Sequence, residues 1–306
     1  MKRILSKLKK TIPYLILSVI VIFLTITLIN IYGFKKKTDD YLYLKNIPYS
    51  SHIYSKRNKM DICIPNRTGN MGLVLYIHGG AWVAGSKDAY ENELKSISQQ
   101  GCITASMNYH YVSNKHNVFD IEDEITECLN KIYEIAKKHN INITGAILSG
   151  GSAGAHLSML YAYSKTNESK IPIKAVYALY GPTDLTNKFY ESPLSDKYYD
   201  LFSWVCGKKF KNETEYLDAY DNLQKASPIF YSSSAVPTIL VFGSNDIIID
   251  RMDNINLANE LINNSIPVIS FEMSNSGHGL TGEGDEKLAN KHYNAFIDYI
   301  DNYLKK

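Results

Sequence analysis

Short apolar runs alternate with amphipathic stretches along most of the chain. Seven runs are typical of strands, at residues 60–65, 72–80, 102–109, 144–151, 173–181, 237–244 and 267–273. Apolar residues at helical spacing predict helices between them, at residues 89–100, 121–139, 153–164, 253–264 and 285–304. Apolar strands that alternate with helices are typical of a mostly parallel central sheet with helices on both faces. The pattern therefore predicts an α/β fold.

The alternation is interrupted once, at residues 182–235, which we interpret as a short cap or lid insertion. This segment follows the strand at 173–181 and therefore leaves the carboxyl edge of the sheet, where α/β proteins bind their ligands. Its aromatic rings either line a pocket or form a small core that holds the cap together, and the sequence leaves both open. The rings belong to Phe189, Tyr190, Tyr198, Tyr199, Phe202 and Trp204.

The first 37 residues have a different pattern, with a basic start, an uncharged apolar run at 11–34 and three lysines at 35–37. At about 1.5 Å per residue the run is long enough to cross a bilayer, and no small-residue cleavage site closes it. Positive charges are more numerous before the run than after it, which favours a cytoplasmic N-terminus. We expect a basic stub with one transmembrane anchor at 1–37, and a globular domain at 38–306 outside the cytoplasm.

Composition narrows the classes of partner and cofactor. Lysine and arginine number 33 and aspartate and glutamate 31, and no basic patch interleaved with aromatic residues lies outside 1–37, so no nucleic-acid partner is expected. The four cysteines are widely spaced, without a C-x-x-C pair, which favours free buried thiols over two disulfides and indicates no zinc site. They are Cys63, Cys102, Cys128 and Cys206. No histidine pair has metal-ligand spacing, so no metal or cofactor is expected.

Candidate chemistry lies just after the predicted strands. In GGSAG (150–154), Ser152 separates a strand from a helix that begins at Ala153, and glycines stand two positions before and after it. This spacing is typical of a nucleophile elbow, whose strained turn leaves no room for neighbouring side chains. In HGGAW (78–82), Gly79 and Gly80 let the backbone approach a substrate, and their N–H groups, with that of Ala153, are candidate oxyanion donors.

Two further strand ends complete the set. Asp246 follows the strand at 237–244, and His278 lies in a glycine-flanked loop after the strand at 267–273. The chain order Ser152, Asp246, His278 is that of the α/β-hydrolase triad. Asp250 is a competing acid, although it lies farther from the strand end. His156 lies four residues along the helix from Ser152, so we expect it to point away from the hydroxyl and serve in packing.

These motifs, together with ASPIFYSSSAVPTILVFGSND (226–246), resemble the α/β-hydrolase serine esterases of the hormone-sensitive-lipase-like, acetyl-esterase and feruloyl-esterase-like groups. The resemblance extends from Asn46 to the C-terminus. It implies that Ser152 is the nucleophile, His278 the general base and Asp246 its orienting acid, with Gly79, Gly80 and Ala153 as the oxyanion hole. Gly151 departs from the pattern, because the family commonly has a histidine or an acidic residue there.

The expected function is that of a membrane-anchored serine carboxylesterase for small ester substrates with short acyl groups, such as acylated sugars or aryl esters. The short cap leaves little room for a long acyl chain. An arylformamidase-like amidase is an alternative, because HGG-x-W and SAGAHL also resemble that group. A non-catalytic α/β-hydrolase domain used for binding is a further alternative, against which the intact set of Ser152, Asp246 and His278 argues.

Overall fold

The computed structural model describes residues 34–38, 40–50, 56–165, 167–187, 196–211 and 213–305. In these ranges the strands are β1 (Phe34–Lys37), β2 (Tyr41–Pro48), β3 (Lys59–Pro65), β4 (Gly69–Ile77), β5 (Ile103–Met107), β6 (Ile141–Gly151), β7 (Ile173–Leu179), β8 (Thr238–Gly243) and β9 (Val268–Met273). The helices are α1 (Glu91–Ser98), α2 (Val118–Lys138), α3 (Ala153–Ser164), α4 (Asp196–Cys206), α5 (Glu213–Asp218), α6 (Tyr220–Lys225), α7 (Arg251–Asn263) and α8 (Glu286–Leu304). Short 3-10 helices occupy Lys87–Tyr90 and Pro228–Ser234.

The strands form one sheet in the order β1-β2-β3-β5-β4-β6-β7-β8-β9. The pairings from β5 through β4 to β9 are parallel, and those among β1, β2, β3 and β5 are antiparallel. The predicted mostly parallel sheet with flanking helices is therefore confirmed, and each of the seven predicted strands is present. The sequence did not indicate β1 and β2. Neither strand is a continuous apolar run, and neither alternates between apolar and polar residues.

Successive side chains of the central strands enter two separate cores. Leu73, Leu75 and Ile77 of β4 belong to the core under α2 and α3, whereas Val74 and Tyr76 belong to the core under α1 and α8. Because side chains alternate across a sheet, a strand covered on both faces needs apolar residues at every position. This is why these strands appear in the sequence as uninterrupted apolar runs.

The predicted anchor lies almost wholly within residues 1–33, outside the described ranges. No helix among the described residues combines the length and the apolar character needed to cross a bilayer. Phe34–Lys37, which the sequence grouped with the anchor, pairs with β2 as an edge strand of the sheet. The four cysteines are buried and free, as expected.

The turn between β6 and α3 has a backbone conformation that few residues adopt. Ser152 has φ 56° and ψ −125°, and it ends the strand and starts the helix within one residue. A Cβ atom on Gly150 or on Gly154 would overlap the carbonyl oxygen of Ile77. The chain therefore needs glycine at both positions because the end of β4 lies directly against the turn.

The strain at Ser152 predicts an unusual order of stabilities. Glycine tolerates a positive φ, whereas alanine shares the strain of serine, which is about 1–3 kcal/mol for such a conformation. Glycine relieves this strain, but it also makes the unfolded chain more flexible, which offsets part of the gain. The free energy of unfolding of Ser152→Gly is therefore expected to exceed that of Ser152→Ala by about 1 kcal/mol. Urea denaturation of both variants measures the difference.

Ser96, exposed within α1, is the matched control. There glycine should be less stable than alanine by about 1 kcal/mol, as in ordinary helices. If glycine were the less stable residue at both positions, Ser152 would not be strained.

Candidate active site

The fold brings the three predicted triad residues to the carboxyl edge of the sheet. Ser152 follows β6, Asp246 follows β8, and His278 follows β9. Nε2 of His278 lies 3.0 Å from Oγ of Ser152, and Nδ1 of His278 lies 2.8 Å from Oδ2 of Asp246. The three side chains thus form a continuous hydrogen-bonded chain, built from the ends of three strands in one parallel sheet.

Asp246 is held in a fixed orientation. Its side chain is 2% exposed, and its Oδ1 accepts hydrogen bonds from the backbone N–H groups of Ile248 (2.8 Å) and Ile249 (3.0 Å). Burial alone would raise the pKa of this carboxyl, but the hydrogen bonds from His278 and the two amides outweigh it and lower the pKa. The carboxylate therefore stays ionised, with Oδ2 directed at His278.

Asp250, the competing acid, stabilises the start of a helix. It is the N-cap of α7, where its Oδ1 accepts a hydrogen bond from the N–H of Met252 at 3.0 Å. Its Oδ2 accepts another from Nδ2 of Asn187 at 3.1 Å. Both oxygens of Asp250 are therefore engaged away from His278, and the structure places Asp246, the residue nearer the strand end, beside the histidine.

The loop that carries His278 is supported by a buried carboxylate that the sequence did not single out. Oδ2 of Asp285 accepts hydrogen bonds from Oγ of Ser276 (2.7 Å) and from the N–H of Asn275 (3.0 Å). Oγ of Ser276 in turn accepts one from the N–H of Gly282 at 2.9 Å. These bonds close the loop on both sides of His278. No pattern in the sequence marks Asp285 for this role, because it stands among several acidic residues before α8.

Tyr180 is a second neighbour that the sequence did not single out. Its ring meets the ring of His278 edge to face, with centroids 4.9 Å apart. A Cβ atom on Gly151 would lie 2.5 Å from Oη of Tyr180. Gly151, noted above as a departure from the family pattern, thus leaves the space that Tyr180 occupies.

The glycine segment (residues 78–82) lies against the turn that carries Ser152. A Cβ atom on Gly79 would lie 2.6 Å from the carbonyl oxygen of Gly151 and 3.4 Å from Cβ of Ser152. Gly80 has φ 109°, and its carbonyl oxygen accepts hydrogen bonds from the N–H groups of Val83 and Ala84. Ala153 is the first residue of α3, where backbone N–H groups have no partner within the helix.

A buried histidine holds the glycine segment in place. The ring of His78 stacks on that of Tyr109, with centroids 4.2 Å apart, and Oη of Tyr109 donates to the His78 carbonyl oxygen at 2.9 Å. Burial lowers the pKa of His78 to about 4, so the ring is neutral. Nδ1 lies 2.8 Å from the Gly79 carbonyl oxygen, which only accepts, so Nδ1 carries the proton.

A buried ion pair lies at the end of the loop that follows the glycine segment. Nζ of Lys87 lies 2.8 Å from Oδ1 of Asp61 on β3, and both side chains are 1% exposed. Oη of Tyr43 donates to Oδ2 of the same carboxylate at 3.2 Å, and the N–H of Lys87 donates to Oδ1 of Asn108 at 2.8 Å. Buried charges need such partners, and together these contacts fix the loop to the sheet.

His156 has the packing role that the sequence predicted. Its Nε2 lies 2.7 Å from the Ala226 carbonyl oxygen and donates to it, and its Nδ1 accepts from Nε1 of Trp82 at 3.2 Å. Burial lowers its pKa to about 4. His156 thus joins the glycine segment to the cap through its ring, whose two nitrogens are both engaged away from the Ser152 hydroxyl. Its backbone N–H donates to the Ser152 carbonyl oxygen at 3.1 Å, as an ordinary bond of the helix start.

The aromatic residues of the cap are described only in part. Phe189 and Tyr190 lie outside the described residues, and Tyr198 and Tyr199 are described only as backbone of α4. Phe202 is buried and meets the ring of Trp82 at a centroid distance of 6.4 Å. This contact favours a core role for Phe202. Among the described residues, no group of three or more His, Cys, Asp or Glu side chains is arranged to hold a metal ion.

Two curated proteins are similar to part of the chain. LipM of Mycobacterium tuberculosis, named a probable carboxylic ester hydrolase, is 25% identical over 69% of this chain and 49% of its own length. A kynurenine formamidase of Salmo salar is 27% identical over 46% of this chain and 47% of its own length. The chain thus spans about half the length of each of these relatives.

Solved structures and a family model complete the comparison. A truncated carbohydrate esterase from gut microbiota superposes with a TM-score of 0.67 at 18% identity, over 85% of this chain and 99% of the other. This likeness, with the sheet order above, shows the α/β-hydrolase fold. The sequence model of the BD-FAE family matches residues 60–261. The chain therefore belongs to the BD-FAE family.

Proposed function

We propose that this protein is a serine esterase that hydrolyses small carboxylic esters through Ser152, His278 and Asp246. The observation that carries the proposal is the hydrogen-bonded chain from Oγ of Ser152 through both ring nitrogens of His278 to a buried, ionised Asp246. The similarity to LipM, named a probable carboxylic ester hydrolase, supports the same reaction class.

The first half of the reaction forms an acyl-enzyme. Nδ1 of His278 donates its hydrogen to Asp246, which leaves the lone pair of Nε2 directed at the hydroxyl of Ser152. As Oγ attacks the acyl carbon, its proton passes to Nε2, and the resulting imidazolium is stabilised by the Asp246 carboxylate. The imidazolium then gives this proton to the leaving alcohol oxygen, and the acyl group remains on Ser152.

The oxyanion of each tetrahedral intermediate needs hydrogen-bond donors close to Oγ. Ala153 is adjacent to Ser152 at the start of α3, and Gly79 lies against the same turn. We assign the N–H groups of Gly79, Gly80 and Ala153 as donors, each worth about 2.7–4 kcal/mol of barrier lowering in comparable sites. Water then attacks the acyl carbon, His278 takes its proton as a general base, and Ser152 is released.

Short acyl groups are the proposed substrates. Several apolar side chains of the cap are buried in its own core, namely Phe202, Val205, Phe210 and Leu223. Space filled by the cap's own core is not available to a long acyl chain. Acylated sugars and aryl esters are the substrate classes we propose, and N-formyl arylamides form the second candidate, favoured by the similarity to the kynurenine formamidase.

We also propose that residues 1–33 anchor the enzyme to the cell membrane, with the catalytic domain outside the cytoplasm. The support is the uncharged run from residue 11 onward and the excess of lysine and arginine that precedes it.

Replacing Ser152 or Asp246 is expected to lower turnover strongly. Asp250, the other aspartate nearby, provides the matched control. Ser152→Ala should leave less than a few per cent of activity, and Asp246→Asn should lower kcat by about 10²–10⁴-fold, because His278 loses its tautomer and orientation. Asp250→Asn, which alters contacts with Met252 and Asn187 but none with His278, should retain most of the activity. Hydrolysis of p-nitrophenyl acetate measures all three.

Full activity in Ser152→Ala would show that Ser152 is not the nucleophile. A folded wild-type protein inactive on every ester and amide tested would favour the binding-domain alternative.

Esters of short acyl chains should be hydrolysed faster than esters of long ones. We expect kcat/KM for p-nitrophenyl acetate and butyrate to exceed that for the decanoate by at least about tenfold, because the buried side chains of the cap's core occupy space that a longer chain would need. An N-formyl arylamine assayed in parallel tests the second candidate. A profile that peaks at ten or more carbons would contradict the short-acyl proposal, and faster amide than ester hydrolysis would favour the formamidase-like activity.

Truncation tests the anchor. Deleting residues 1–33 removes the apolar run yet keeps β1, so the enzyme should leave the membrane fraction with its kcat/KM unchanged. Deleting residues 1–37 also removes the β1–β2 pairing and should lower the free energy of unfolding. Protease added to intact cells should cleave the full-length domain, and protection until lysis would reverse the proposed orientation.

A further inference from the structure

A cavity of ≈ 370 Å³ lies on the face of the sheet that α1 and α8 cover. The exposed surface of its wall is mostly apolar and includes two stacked ring pairs: Tyr76 stacks with Tyr90 at a centroid distance of 4.9 Å, and Tyr177 stacks with Phe296 at 4.4 Å. None of the described residues of the cap or of the His278 loop lines it. The cavity is therefore separate from the space that the proposed reaction uses.

Two deeply buried hydroxyl-bearing side chains line this cavity. Tyr76 is 4% exposed and Ser149, on β6, is 1% exposed. Within the described part of the chain, neither hydroxyl takes part in a protein hydrogen bond, whereas Oη of the neighbouring Tyr177 lies 2.7 Å from Nδ1 of His292. Both hydroxyls face the cavity, so a ligand that displaced water from them without replacing its hydrogen bonds would leave each one unpaired, at a cost of about 1–3 kcal/mol. The two hydroxyls therefore favour a ligand that supplies polar atoms to them.

The chemistry of the walls limits what that ligand is. Flat apolar walls favour a ring, since aromatic side chains stack on aromatic faces. A sugar ring carries hydroxyl groups around its whole edge, and the exposed wall is mostly apolar, so several of these hydroxyls would be buried without a partner and would weaken its binding. Glu93 stands at the rim and disfavours a carboxylate. Burial raises the pKa of Tyr76 well above its ordinary value, so its hydroxyl remains a donor.

We propose that this cavity is a binding site for a small neutral phenol, whose ring lies among Tyr76, Tyr90 and Phe296 and whose hydroxyl bonds Tyr76 and Ser149. The phenol oxygen accepts from Oη of Tyr76, and its hydrogen is donated to Oγ of Ser149. This arrangement satisfies both protein hydroxyls with a single polar group on the ligand. Binding here is independent of whether Ser152 hydrolyses esters.

The test is calorimetric titration of the full-length protein with 4-methylphenol, beside glucose and benzoate as contrasting probes. Wild type should bind 4-methylphenol and should bind glucose and benzoate at least about tenfold more weakly. Tyr76→Phe and Ser149→Ala should each raise the Kd about fivefold, since each removes one hydrogen bond. Tyr303→Phe, which removes a hydroxyl group from a residue of α8 that does not line the cavity, should leave the Kd unchanged.

A second variant locates the bound probe. Ser96 is exposed at the rim of the cavity, so Ser96→Trp should close it and abolish binding while the melting temperature stays close to that of wild type. The proposal is overturned if 4-methylphenol does not bind wild type, or if it binds Ser96→Trp and Tyr76→Phe as tightly as wild type. Tighter binding of glucose or benzoate would equally overturn it. None of these results depends on turnover at Ser152.

Discussion

The close approach of two backbone segments, the end of β4 and the turn after β6, is the constraint on which the proposed active site depends. The carbonyl oxygen of Ile77 fills the space that a side chain on Gly150 or Gly154 would need, and Gly79 lies against Gly151 and Ser152. Because the segments are this close, the serine turn and the glycine segment are held as one unit. Ser152, the proposed nucleophile, and the proposed oxyanion donors are therefore held rigidly relative to one another, as preorganised stabilisation requires.

Buried polar contacts extend this rigidity outward. Asp246 is oriented by two backbone amides, and the loop of His278 is closed through Asp285. His78 supports the glycine segment as a neutral ring, and the Lys87–Asp61 pair fixes the loop beyond it. Such contacts are costly to break because each would leave a buried polar group unpaired. They act mainly by holding geometry, and the proposed chemistry is carried out by the side chains and backbone N–H groups that they position.

The central sheet, and the residues Ser152, Asp246 and His278 that meet at its edge, were predictable because their signals are local. A strand covered on both faces is a continuous apolar run, and a strained serine turn requires glycine on both sides, so β6 and Ser152 are recognisable directly. β1 escaped prediction because its lysines resemble the flank of a membrane anchor. Tyr180 and Asp285 escaped because their roles arise only when distant segments meet. The choice between Asp246 and Asp250 also needed the structure, which engages Asp250 as the cap of α7.

The most direct test of the central claim, that Ser152 is an activated nucleophile, is covalent labelling with a short alkyl phosphonate ester followed by peptide mass spectrometry. The account predicts one adduct per chain, on Ser152. It also predicts that His278→Ala, which removes the base at Nε2, slows labelling by at least about 10²-fold while the protein remains folded. Labelling at another residue, or equal labelling of Ser152 in wild type and His278→Ala, would contradict it.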